Sequence, residues 1–111
     1  MIYLAAPYTH SDDAICAIRV EMVTYAAAVL TECGFHVYSP LTHGHQLAKK
    51  RNLPKEFDYW ATQCKKYVGM CDSVVVLLLD GCLESVGVTA EVEEAAEQNK
   101  PVIYIEFGDV I

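Results

Sequence analysis

Residues Val74 to Leu79 read Val-Val-Val-Leu-Leu-Leu, so the two-residue alternation of a strand would place apolar side chains on both of its faces. A strand of that kind must be covered twice, which points to the middle of a parallel sheet lying between layers of helix. Asp72 and Ser73 lead into the run, and Asp80-Gly81 closes it with turn-forming residues. The run is far too short to cross a bilayer, which takes about 20 residues of helix.

The rest of the chain alternates around this strand. Ile2 to Ala5 is a short buried first strand ending at Ala6-Pro7-Tyr8. Ser11, followed by Asp12 and Asp13, predicts a helix start: a capping hydroxyl, then acids at the positive end of the dipole. Ile15, Ile18, Met22, Ala26, Val29 and Cys33 form one apolar stripe at helical spacing, and Gly34 ends the helix. Phe35 to Tyr38 is a second strand closed by Ser39-Pro40, and Leu41 to Leu53 is expected to be a loop carrying His43, His45 and the cluster Lys49-Lys50-Arg51. Pro54 opens a second helix, with Phe57, Trp60, Ala61, Cys64, Tyr67, Val68 and Cys71 on one face. A third helix covers Ser85 to Asn99, and Lys100-Pro101 leads into a last strand, Val102 to Glu106.

This β-α-β-α-β-α-β order predicts an α/β fold: a three-layer, doubly wound parallel sheet of four to five strands, flavodoxin-like or Rossmann-like, with right-handed crossovers. Ligands of such folds lie beyond the carboxyl ends of the strands. Here those ends are Ala6-Pro7-Tyr8, Ser39-Pro40-Leu41 and Asp80-Gly81.

Charge and cysteine content narrow the function classes. A net charge of −7 argues against a nucleic-acid-binding surface, while leaving room for one small anion held on backbone amides. The five cysteines show no C-x-x-C pair, so neither a zinc ribbon nor a disulfide framework is expected, and they read as small buried hydrophobes. No basic segment precedes the apolar N-terminus, so a signal peptide is not expected; no membrane partner is expected either, and the chain is read as cytoplasmic. At 111 residues the chain buries a limited share of its surface, and self-association into a homodimer or larger homo-oligomer is expected. His43-Gly44-His45 offers two metal-type ligands but no third nearby, so no metal and no cofactor are expected.

The third helix carries Glu91, Glu93, Glu94 and Glu97. Val88, Val92, Ala95 and Ala96 share the arc that must face the sheet. Glu93, Glu94 and Glu97 lie more than about 100° from its middle and face water. Glu91 lies beside the arc in the early turns, partly buried and directed at the ligand edge, where the dipole favours its ionised form and burial opposes it. Such a carboxylate suits nucleophilic attack on a sugar carbon.

The stretch from Asp80 to Glu91 contains Ser85, Gly87 and Glu91 in the pattern Ser-x-Gly-x-x-x-Glu. With Tyr3-Leu4-Ala5-Ala6-Pro7-Tyr8, Arg19, Ser39-Pro40 and Lys100-Pro101, it resembles the nucleoside 2-deoxyribosyltransferase-like superfamily, including its small bacterial and phage members and the deoxynucleoside 5′-monophosphate N-glycosidases. The likeness spans nearly the whole chain and implies a single domain of that kind over residues 1–111.

The resemblance implies that Glu91 attacks the anomeric carbon of a nucleoside or nucleotide and expels the base. The resulting glycosyl-enzyme is released by water or by a second base, as in retaining glycosidases. It implies a small-molecule nucleoside or nucleotide as partner, and Tyr8 as the residue that orients Glu91. Ser85 with Gly87 falls where phosphate or sugar is held; an ordinary N-cap is the other role of Ser85, and one residue can serve both. Ala6, Pro7, Ser39 and Pro40 are expected to line the substrate site. The relatives carry a sugar-positioning aspartate on the helix before the central strand, where Cys64 falls here. Asp58 and Asp80 are the candidate substitutes, and Trp60 is either a base-stacking residue or a core residue. A catalytically degenerate module that sequesters or senses a nucleotide is the alternative implied by Cys64.

Overall fold

The computed structural model covers residues 1–111. Its elements are β1 (Ile2–Ala5), α1 (Asp13–Glu32), β2 (Val37–Tyr38), α2 (Pro40–Arg51), α3 (Phe57–Met70), β3 (Ser73–Leu78), α4 (Val86–Glu97) and β4 (Val102–Glu106), followed by one 3-10 turn at Phe107–Asp109. The four strands form an all-parallel sheet in the order β2-β1-β3-β4.

The double coverage read from Val74–Leu79 is realised from Val74 to Leu77; Leu78, the last residue of the strand, is 37% exposed and Leu79 lies past its end. Val74 and Val76 join Tyr3 and Ala5 on one face, under Cys64 and Val68 of α3 and Val88 and Ala95 of α4. Val75 and Leu77 join Leu4 and Ala6 on the other, under Val20, Val23 and Ala26 of α1 and Leu41 of α2. Each buried Val or Leu contributes roughly 1.5–3 kcal/mol, so β1 and β3, whose side chains from Tyr3 to Ala5 and from Val74 to Val76 are fully or nearly fully buried, anchor the fold. β4 is the opposite case. It is an edge strand with Ile103 and Tyr104 half exposed on its two faces.

Three local expectations are corrected. Residues 40–51 form a helix, not a loop. The Ser39 hydroxyl accepts from the Thr42 amide at 3.1 Å, and Pro40 supplies a first-turn φ. Lys49, Lys50 and Arg51 then sit at the negative end of the dipole, and Asn52 ends the helix at φ 52°. The buried stripe of α1 is Cys16, Val20, Val23 and Ala26, and Ile18 of the expected stripe lies on the solvent face. Asp12, not Ser11, caps that helix, its side chain accepting from the Ala14 amide. The 20-residue α1 is long and apolar enough by composition to cross a bilayer. In this structure its buried stripe packs on the sheet.

The sheet order places the switch point between β1 and β3, because β1 is followed by a crossover to one side and β3 by a crossover to the other. The loops leaving these two strands diverge there, and that divergence opens the cavity.

Candidate functional site

A cavity of about 690 Å³ lies beyond the carboxyl ends of the strands, within the usual size range of small-molecule sites. β1 delivers Ala6, Pro7 and Tyr8 to it, and α2 delivers Pro40 and His45. α3 delivers Asp58, Trp60 and Cys64, and α4 delivers Ser85, Gly87 and Glu91. Of the residues expected to act in or line the substrate site, Ser39 and Asp80 do not line it. Ser39 is buried as the cap of α2. Asp80 contributes its backbone carbonyl to Arg19.

Glu91 is the only carboxylate in the core, at 4% exposure. The buried arc of α4 runs through Val88, Glu91 and Ala95, so Glu91 sits on the arc rather than beside it, while Ala96 is exposed. Its expected solvent-facing neighbour Glu94 is half-buried, bonded by the Gln98 amide at 2.6 Å. The side-chain partner of Glu91 is the hydroxyl of Tyr3, which donates to its carboxyl. Burial pushes the Glu91 pKa up to about 8, against the opposing pull of that hydrogen bond. Burial, and next to it the neighbouring carboxyl, raises the Tyr3 hydroxyl as well, so the proton between them stays with the pair at neutral pH. Cys64 completes the cluster, its thiol pushed up to about 11 by burial.

Tyr8 does not hold this carboxyl. Its hydroxyl lies 2.8 Å from Nδ1 of His45 on α2, with the two rings edge to face. Burial, followed by Lys49 and Lys55, lowers the pKa of His45, so its ring is neutral at pH 7. Burial also raises Tyr8, which keeps its proton. The pair can therefore donate and accept hydrogen bonds toward the cavity without carrying charge.

Tyr3 is the site residue that the sequence reading missed. A tyrosine within a strand buried on both faces has to find a partner for its hydroxyl, and that requirement was the available signal. Arg19 is a staple: Nη2 donates to the Asp80 carbonyl at 2.9 Å, and Nη1 to the carbonyls of Thr9 at 3.1 Å and Tyr8 at 3.4 Å. It ties the loop after β1 to the turn after β3. Trp60 lines the cavity with its ring over Gly44, and its indole N–H is taken by the Pro54 carbonyl at 2.8 Å. No three side chains of the His, Cys, Asp and Glu types converge as a metal-ligating group.

No curated protein matches the sequence. A family model does match, over residues 1–107. The chain therefore belongs to the family described as Domain of unknown function (DUF1937).

Proposed function

We propose that the chain cleaves or transfers the N-glycosidic bond of a nucleoside, deoxynucleoside or 5′-monophosphate, with Glu91 as nucleophile. The observation that carries this reading is a single buried carboxyl, bonded by a strand tyrosine, in the wall of a cavity of small-molecule size at the switch point of a parallel sheet. A structural acid has no reason to stand there. Burying a lone carboxyl costs stability, and cavities where such a cost is retained are where catalytic groups concentrate.

In the step itself, a Glu91 carboxylate oxygen bonds to the anomeric carbon as the carbon–nitrogen bond breaks. The electron pair leaves with the base, which takes up a proton. Water, or a second base, then attacks the same carbon and frees the carboxylate. The ionised fraction of Glu91 is the reactive one. The uncharged Tyr8–His45 pair offers a hydroxyl and a ring nitrogen for hydrogen bonds to sugar or base, and Trp60 offers a face for stacking.

One observation favours a second reading, that of a nucleotide-binding module without turnover. Cys64, not an acid, faces the Tyr3–Glu91 pair, so no second carboxylate touches the proposed nucleophile. Chromatography of a panel of nucleosides and monophosphates incubated with the protein separates the two. Free base that disappears in Glu91→Gln supports the enzyme. Thermal stabilisation by a panel member with no base released selects the binding module.

A further inference from the structure

The charges around the cavity bear on the class of substrate, an inference that rests on the glycosidic-bond reading above. We propose that the cavity takes the uncharged nucleoside and discriminates against its 5′-monophosphate.

The cations that line the cavity are already engaged. Three guanidinium hydrogen bonds of Arg19 go to the main-chain carbonyls of Tyr8, Thr9 and Asp80. The Lys55 ammonium is paired with the Asp13 carboxylate. His45 is neutral, and Nδ1 of His10 is taken up by the Asp12 amide at 2.9 Å. The anions are not engaged. Glu56, Asp58 and Glu84 line the same cavity, and none of them belongs to a salt bridge. With Lys55 offset by Asp13, Arg19 alone stands against these three carboxylates. A phosphomonoester brings a further charge of about −1.5 to −2 at pH 7.

The start of α4 lacks the form of a phosphate cradle. In such cradles glycine lets an oxyanion approach the backbone. At Gly87 that space holds an aromatic ring: a Cβ there would lie 3.1 Å from Cδ1 of Phe57. The Ser85 hydroxyl accepts from the Val88 amide at 3.1 Å as an ordinary cap. The glycine and serine of the motif thus serve packing and helix initiation.

The test is titration calorimetry on Glu91→Gln, which removes turnover. The probes are the four deoxynucleosides and four ribonucleosides, each against its own 5′-monophosphate. The nucleoside of the best-bound pair should bind at least about tenfold more tightly at low ionic strength, and the gap should shrink as salt screens the carboxylates. Adding Glu56→Gln and Glu84→Gln should raise monophosphate affinity by about threefold or more while moving nucleoside affinity by less than about twofold. Both side chains are exposed, and Glu56 makes no capping hydrogen bond, so the fold should tolerate the changes. A monophosphate that binds as tightly as its nucleoside, or more tightly, overturns the inference and leaves the glycosidic-bond reading standing. Binding of neither class overturns both.

Discussion

The hydroxyl of Tyr3, on the first strand, is hydrogen-bonded to the carboxyl of Glu91, 88 positions further along the chain. Strand β1 and helix α4 are thereby joined at the floor of the cavity by two groups that the core would otherwise leave unsatisfied. Tyr3→Phe removes the donor and strands the carboxyl. The expected loss of stability is about 1–3 kcal/mol, the cost of one buried polar group without its partner. In a Glu91→Leu background the same substitution should cost clearly less, since no carboxyl remains to be orphaned. Urea unfolding of the four proteins in this double-mutant cycle measures the coupling. A coupling near zero would show that the two side chains act independently.

If Glu91 is the nucleophile, as proposed, base release should depend on pH in a defined direction. The neutral acid cannot attack carbon, and burial holds the proton up to about pH 8. The kcat/KM for base release should therefore rise about tenfold per pH unit below that value and level off above it, reporting the free enzyme. Tyr3→Phe withdraws the hydrogen bond that favours the carboxylate, so the midpoint should move to higher pH. A profile flat from pH 5 to 9 would remove Glu91 as the group that must ionise.

The same proton couples to folding. The carboxyl releases it near 4.5 in the unfolded chain and near 8 in the folded one. Folding therefore takes up a proton between those values. The contribution to stability is fully present below pH 4.5 and is lost as pH rises through about 8. Over the whole interval the loss is on the order of 5 kcal/mol, at about 1.4 kcal/mol per pH unit. Glu91→Gln, which cannot ionise, should abolish most of this slope, becoming the more stable protein relative to wild type at pH 8 and losing that advantage at pH 5. Urea midpoints of the two proteins at these pH values provide the check. Equal slopes would mean that Glu91 is ionised in the folded state.

How far the sequence reached follows from the kind of signal each feature carries. The run from Val74 to Leu79 admits few environments other than the centre of a covered parallel sheet, and the last strand has the bounds its sequence predicts, Val102–Glu106. Helix α2 was hidden because Gly44 and two histidines dilute its helical pattern, although the Ser39-Pro40 start and the basic last turn were there to be read. Helical phase placed Glu91 near the ligand edge, but phase describes a helix only relative to itself. Which strand residue meets Glu91 depends on how α4 seats on the sheet, a tertiary register with no local trace. The hydroxyl expected from Tyr8 is therefore supplied by Tyr3, from the opposite end of the same apolar opening, and Tyr8 turns to His45.

Gly81 and Arg19 offer a test of how the cavity is held open. Gly81 sits at φ +89°, and a Cβ there would lie 2.6 Å from Nη2 of Arg19, the nitrogen that donates to the Asp80 carbonyl. Gly81→Ala therefore meets two separate penalties. Left-handed backbone costs a non-glycine residue about 1–2 kcal/mol, and displacing the guanidinium forfeits a charged hydrogen bond of roughly 1.5–3 kcal/mol. The two can be separated because only the second depends on Arg19. In an Arg19→Ala background, Gly81→Ala should retain the backbone penalty and shed the rest, so its cost in urea should fall by at least about 1 kcal/mol. If the cost is unchanged, the guanidinium yields freely and does not fasten the loop after β1 to the turn after β3. If it falls as expected, Gly81→Ala alone should also weaken binding of any cavity ligand, because Tyr8 and Thr9 are held through the same guanidinium.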